Sequence, residues 1–260
     1  MSRRRWVTGD PGVVNTMDFS SLPRLGVVVP PENPTVEPEF TRLAGDIMRV
    51  YSSRFPLVVG EELQQVLHAW NVALPEILSN FGSLELDATV VACSASHYLL
   101  DPEGDRDFCD QLSGRLGFPV QSSTQAILAC CASLGITELT LVSPYEPWLT
   151  ELSRSFWEKA GITVDRVIPV PAGDRFDPYS VTTDKIVEEV SGGDIDDDGP
   201  LLFTGTGMFT LEALDQLSRR TDRVLLTSNL ASVWWGLKVT ALPHEESELH
   251  PLLRRLRPER

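Results

Sequence analysis

Apolar residues in this chain fall into short β-branched runs separated by stretches with helical spacing. Leu25 to Val29 is one such run, closed by Pro30-Pro31. Thr89 to Val91, Leu139 to Val142, Val164 to Val170, Leu201 to Phe203 and Val224 to Leu226 repeat the type. Such runs, ended by small or breaking residues, read as strands of a parallel sheet covered on both faces. Phe55 to Val59 and Phe118 to Val120 read as two further strands. Helices are predicted over Phe40 to Val50, Glu61 to Asn80, Phe108 to Leu116, Thr124 to Leu134, Trp148 to Ala160, Val181 to Val190, Leu211 to Arg219 and Ala231 to Leu237. In the second of these, Leu63, Val66, Leu67, Trp70, Leu74 and Ile77 recur three or four residues apart. Gly135 and Gly161 stand where helix C-caps belong. Asp101 to Asp107 reads as an acidic loop. Gly192 to Gly199, with four aspartates, reads as a solvated turn without the further carboxylate that a calcium loop requires.

The alternation is βα throughout with short connections, which predicts an α/β fold of parallel sheet and flanking helices in two halves. Residues 1–22 are polar, marked by Gly and Pro, and read as a tail. The first half is expected over 23–122, completed by 224–260, and the second over 123–223.

Charge and cysteine usage narrow the partners. A formal net charge of −15 argues against nucleic acid and anionic membrane. It leaves an anionic small molecule open, because a local group of backbone amides outweighs distant surface charge. No apolar stretch is long enough to span a bilayer. Arg3-Arg4-Arg5 is not followed by an apolar segment, so no signal peptide is read and the cytoplasm is the default location. Cys93, Cys109, Cys130 and Cys131 lack metal-ligand spacing, and adjacent cysteines on a predicted helix do not suit a disulfide framework. No metal is expected. Nothing in the pattern specifies an oligomeric state.

The candidate chemistry centres on Val90-Val91-Ala92-Cys93-Ser94-Ala95-Ser96-His97-Tyr98. A strand here feeds the first turn of a helix and places a thiol where several N–H groups lack helical partners. That setting favours a thiolate, so the thiol pKa is expected to fall and the thiol to alkylate readily near neutral pH. The same N–H groups suit a carboxylate. A small buried hydrophobe is the other reading of a free cysteine. His97, four residues on, falls on the same helical face and could touch the thiol or serve as a supporting or surface group. The loop Glu32 to Glu39 carries three prolines and an asparagine at a strand's carboxyl end, where ligands bind in open α/β sheets.

Several stretches together resemble the aspartate/glutamate racemase superfamily, in the branch of maleate cis–trans isomerases and arylmalonate decarboxylases. Leu25 to Glu39 resembles the isomerases' opening motif, its double proline that of the decarboxylases. The family's first catalytic cysteine falls on Cys93. Ser143-Pro144-Tyr145 fits the second-half strand end. Thr210-Leu211-Glu212-Ala213 resembles the decarboxylases, and Thr227-Ser228-Asn229-Leu230-Ala231 with Trp234 resembles the family's ending.

The resemblance implies two pseudo-symmetric, Rossmann-like halves with the active site in the cleft between them, and chemistry without a cofactor. It implies Cys93 as the catalytic residue, with Asn33 and Tyr145 as carboxylate ligands beside Pro30. The amides of Ser94 and Ala95, and of Thr206 and Gly207, would form two oxyanion holes. One departure stands out. The second-half cysteine position falls on Gly205. Racemases and isomerases of the family use both thiols, and the decarboxylases keep only the second-half one. A two-base racemase is therefore disfavoured, because glycine cannot move a proton. The expectation is a single-cysteine decarboxylase of a substituted malonate-type acid, in which Cys93 protonates an enediolate. The alternatives are a maleate-type isomerase using Cys93 as nucleophile, and a catalytically silent carboxylate-binding protein.

Overall fold

A computed structural model describes residues 21–192, 199–240 and 246–256. The expected N-terminal tail up to residue 20, and the acidic turn at 193–198, lie outside the described residues. Among the described residues, eight strands form two four-stranded parallel sheets. The first has the order β2-β1-β3-β4, with β1 Arg24–Val29, β2 Arg49–Arg54, β3 Ala88–Val91 and β4 Val120–Ser122. The second has the order β6-β5-β7-β8, with β5 Glu138–Ser143, β6 Thr163–Pro169, β7 Leu201–Phe203 and β8 Leu225–Thr227. The sheets repeat one topology, which is the pseudo-symmetry expected from the sequence. The central strands β1, β3, β5 and β7 are almost entirely buried, as continuous apolar runs require.

Helices cover the sheets. They are α1 Val36–Ala44, α2 Leu63–Ser79, α3 Ser94–Tyr98, α4 Asp101–Leu116, α5 Ser123–Leu134, α6 Pro147–Lys159, α7 Thr183–Gly192, α8 Leu211–Leu217 and α9 Ser228–Thr240. The last of these leaves the second sheet and packs on α1, α5 and β3 of the first. Tyr98, Phe156 and Trp157 pack edge to face with centroids 5.0–5.8 Å apart and fill the space between α3 and α6. Among the described residues no helix is long and apolar enough to cross a membrane.

Three expectations are corrected. The helix expected over Phe40 to Val50 is α1 followed by β2. Pro38, which suggested loop, sits in the first helical turn, where its missing N–H costs nothing. The strand expected over Phe55 to Val59 is β2 instead, six residues earlier, paired from Arg24↔Arg49 to Val29↔Arg54. As an edge strand β2 is polar, so the apolar pattern misses it. The apolar residues after it are loop, with Leu57 62% and Val59 80% exposed. Finally, the acidic stretch Asp101 to Asp107 is the start of α4. Pro102 and the carboxylates of Asp101 and Glu103 suit a helix N-terminus, and the helix continues to Leu116.

Candidate active site

The chain leaves β1, β3, β5 and β7 at adjacent carboxyl ends, and a cavity of about 200 Å3 opens between the two halves there. Pro30, Asn33, Cys93, Ser94, Ala95, Tyr145, Thr206 and Gly207 all line it. A larger hollow of about 650 Å3, at Pro200 and Ser218 to Val224, lies at the opposite ends of β7 and β8 and contains none of the candidate residues. The two halves are bound together beneath the cavity. Thr206 Oγ1 donates to Ala92 O at 2.9 Å, and the Tyr98 hydroxyl pairs with Thr204 Oγ1.

Cys93 caps α3 and is 3% exposed. The Ala95 and Ser96 amides and the Ser96 hydroxyl favour its thiolate, but burial outweighs them and pushes the thiol pKa up. This corrects the expected fall. A helix of five residues sums few peptide dipoles, whereas the cavity walls remove nearly all water from the sulfur. Burial thus favours the protonated form of Cys93. The Ser94 hydroxyl next to it bonds Ser123 Oγ at 2.9 Å and Ser228 Oγ at 3.0 Å, tying α3 to the first residues of α5 and α9.

Asn33 lines the cavity, yet its side chain is committed elsewhere. Its Oδ1 accepts from the amides of Thr35 and Val36 at 2.8 and 3.1 Å, which starts α1. Its Nδ2 donates to Thr206 O and Oγ1 at 3.3 and 3.2 Å. Thr35 Oγ1 donates to Gly207 O at 2.6 Å. The buried carboxylate of Glu39 accepts from the Thr210 and Leu211 amides at 2.6 and 3.0 Å and from Asn229 Nδ2 at 2.7 Å. The opening motif thus forms a clasp that fixes Thr206 to Leu211 against the first half. Burial pushes the Glu39 pKa up despite these donors. Arg54 donates to the carbonyls of Pro30, Pro31 and Asn33 and pairs with Glu37, pinning the same loop.

Gly205 takes φ +85°, a left-handed conformation that suits glycine. It does not line the cavity, because the Tyr145 ring lies over it. A Cβ at Gly205 would overlap the Tyr145 hydroxyl and come within 2.8 Å of its Cζ. Gly205 stands two residues past β7, as Cys93 stands two past β3, so Tyr145 fills the space a second thiol would need. Among the described residues the Tyr145 hydroxyl has no hydrogen-bond partner. Burial and the nearby Tyr98, Cys93 and Tyr179 hold its pKa well above the ordinary phenol value.

His97 does not line the cavity. Its Nδ1 lies 2.6 Å from Asp105 Oδ1, with both side chains fully buried. Asp105 Oδ2 also accepts from Ser122 and Thr124 hydroxyls at 2.8 and 2.6 Å. With Cys109 this group brings possible metal ligands within 4.8 Å of one another. Within the group, His97 Nδ1 is taken up by the hydrogen bond to Asp105, while its Nε2 is buried with no hydrogen-bond partner. The arrangement locks α3 onto α4 and the start of α5.

Half of the cavity wall escaped the sequence reading. Leu63, Leu67 and Trp70 come from α2, and Glu146, Leu149, Phe176, Pro178 and Tyr179 from the α6 start and the loop after β6. The α2 residues were legible as one helical stripe, though not as a cavity wall. Nothing in the 171–179 loop marked it as part of the site. Among the described residues the lining holds no lysine, arginine or histidine, so amides and hydroxyls are the donors it offers an anion.

Comparisons with known proteins agree with this fold. Residues 25–250 match the profile of the arylmalonate decarboxylase family. No curated protein sequence matches the chain. Among solved structures, the maleate isomerase Iso from Pseudomonas putida superposes with TM-score 0.78 at 19% identity, covering 90% of this chain and 99% of that one. A maleate cis–trans isomerase from Nocardia farcinica, a cysteine-to-serine variant carrying a covalently bound succinylcysteine intermediate, gives 0.77 at 21%, covering 90% and 99%. A liganded arylmalonate decarboxylase variant, with one glycine changed to cysteine and one cysteine to serine, gives 0.73 at 17%, covering 90% and 98%.

Proposed function

Because the chain belongs to the arylmalonate decarboxylase family, we propose that it decarboxylates a small substituted malonate-type acid without a cofactor, using Cys93 as the proton donor. The observation that carries this reading is a single thiol, held protonated by burial, in the wall of a largely apolar cavity. One substrate carboxylate lies against the Thr206–Gly207 stretch and Tyr145. The other faces the apolar wall of Leu63, Leu67 and Trp70, where poor solvation of its charge favours loss of carbon dioxide. The breaking C–C bond leaves its electron pair on the retained acid as an enediolate, stabilised by amide and hydroxyl donors. The Cys93 S–H then delivers its proton to the α-carbon, and the thiolate regains one from water. One donor suffices for this sequence, which matches glycine at position 205.

Maleate-type isomerisation is the second reading, favoured by the Asn33 loop lying in the same cavity wall. It needs Cys93 as a thiolate nucleophile, the form that burial disfavours. Incubation with 2-substituted malonic acids and, separately, with maleate decides between them. The expected result is carbon dioxide release from a malonate, with one solvent deuterium at the α-carbon in heavy water. Fumarate from maleate without malonate turnover would overturn the decarboxylase reading. Binding of acids with no turnover of either substrate would leave a silent carboxylate-binding protein.

A further inference from the structure

The cavity contains a second phenol that neither the sequence motifs nor the reaction above uses. Tyr179 comes from the loop between β6 and α7 and lines the cavity beside Thr206 and Gly207. Its loop is fixed locally: Asp177 accepts from the Tyr179 amide at 3.0 Å and from the Ser180 hydroxyl at 2.5 Å. The ring lies on Gly207. A Cβ at Gly207 would come within 2.7 and 2.8 Å of Tyr179 Cε1 and Cδ1, and within 3.2 Å of Pro178 Cβ. Glycine at 207 thus makes room for this tyrosine, as glycine at 205 makes room for Tyr145. Among the described residues the Tyr179 hydroxyl has no hydrogen-bond partner, although a half-buried phenol ordinarily finds one. It lies within electrostatic reach of Cys93, Glu32 and Arg54 across the cleft, so it faces the first half.

From this geometry we infer that Tyr179 is a substrate-contacting residue, its hydroxyl donating a hydrogen bond to the carboxylate that lies against Thr206 and Gly207. The inference rests on the carboxylate-binding part of the proposed function. Among the described residues the cavity is lined by no cationic side chain, and Tyr145 and Tyr179 are its phenolic donors, each seated over a glycine of the Gly205–Gly207 stretch. The chemistry recognised is one carboxylate group between two phenols. A neutral amide of the same shape lacks the anionic acceptor that makes such a bond strong.

The test measures binding of an unreactive product-like acid, phenylacetate, and of phenylacetamide by calorimetry. Tyr179→Phe keeps the ring and removes only the hydroxyl. It should weaken phenylacetate about ten- to a hundredfold, the loss for one hydrogen bond to a charged group, and leave phenylacetamide unchanged. Gly207→Ala should weaken phenylacetate in the native background by displacing the Tyr179 ring, and have no added effect on top of Tyr179→Ala. Equal phenylacetate binding by native protein and Tyr179→Phe overturns the inference. So does parallel weakening of acid and amide, which would show that the hydroxyl does not single out the carboxylate, and so does absence of phenylacetate binding by the native protein. Carbon dioxide release is read separately. Failure of every malonate to react while phenylacetate binding still depends on Tyr179 overturns the decarboxylase reading and leaves this inference standing.

Discussion

Cys93 and Gly205 occupy matching places in the two halves, each two residues beyond a buried central strand, yet their surroundings differ in kind. After β3 the chain turns at once into α3. The side chain at 93 then faces the cavity, with Ala95 and Ser96 amides beside it. After β7 the chain enters a left-handed turn at Gly205 and stays irregular until Leu211. Tyr145, from the neighbouring strand end, closes over that turn. The two equivalent strand ends thus differ, with a buried thiol at one and a tyrosine ring over a glycine at the other. The absence of a side chain at 205 is the condition for seating Tyr145.

The largest expected effect breaks the thiol side. Cys93→Ser should lower turnover of a malonate substrate by orders of magnitude, because a hydroxyl is a much weaker acid than a thiol. The melting temperature should move little. Steady-state rates together with a thermal melt check both halves of the statement. Near-native turnover in the serine variant would remove Cys93 from the chemistry.

On the opposite face, Tyr145→Phe should cost roughly 3 kcal/mol of transition-state stabilisation, a typical loss for one donor to a developing oxyanion. Its stability should stay near native, since the hydroxyl bonds no other described residue. An unchanged kcat/KM would show that the phenol serves only to fill space.

Restoring symmetry should be resisted. In Gly205→Cys the new Cβ collides with the Tyr145 ring, and overpacking of this kind costs about 1–3 kcal/mol. A further 1–2 kcal/mol or so comes from a side chain at positive φ. Chemical denaturation should show that Tyr145→Ala in the same chain recovers the first part and not the second. If the double variant is folded and active, a thiol on the second face should introduce α-proton exchange and reduce the enantiomeric purity of product in heavy water. A Gly205→Cys protein as stable as the native one would place the Tyr145 ring elsewhere.

The smallest effect is in pH. Burial raises the Cys93 pKa, so its contribution to stability is complete below the unfolded thiol value near 8.5 and is lost as pH rises toward the folded value. Cys109, Cys130 and Cys131 are shifted the same way, the last two to about 12. Unfolding free energy should therefore fall between about pH 8.5 and 10. Cys93→Ser should reduce that slope by at most about 1.4 kcal/mol per pH unit. The same argument predicts slow alkylation of Cys93 at neutral pH, accelerating in alkali. Rapid modification at pH 7 would show that the thiol is less desolvated than its surroundings indicate.

Much of this protein was written in local patterns. The buried runs ending at Val29, Val91, Val142 and Phe203 specified parallel strands, because strands covered on both faces are apolar throughout. The family resemblance, rather than the apolar pattern, drew Pro30 to Asn33, Cys93 to Ala95, Tyr145 and Gly205 to Gly207 toward one cleft; of these, Pro30, Asn33, Cys93 to Ala95, Tyr145, Thr206 and Gly207 line the cavity and Gly205 does not. What sequence could not decide was set by neighbours distant along the chain. The thiol pKa at 93 depends on how many atoms exclude water from the sulfur, and those atoms come from both halves. The amide of Asn33 is taken up by Thr206, 173 residues away. His97 turns to Asp105 because Ser122 and Thr124 complete that carboxylate's shell. Tyr145 covers Gly205, and Tyr179 rests on Gly207, because a glycine's missing side chain is filled by whichever ring the fold brings near. Local composition shows that a space exists, and only tertiary packing decides what enters it.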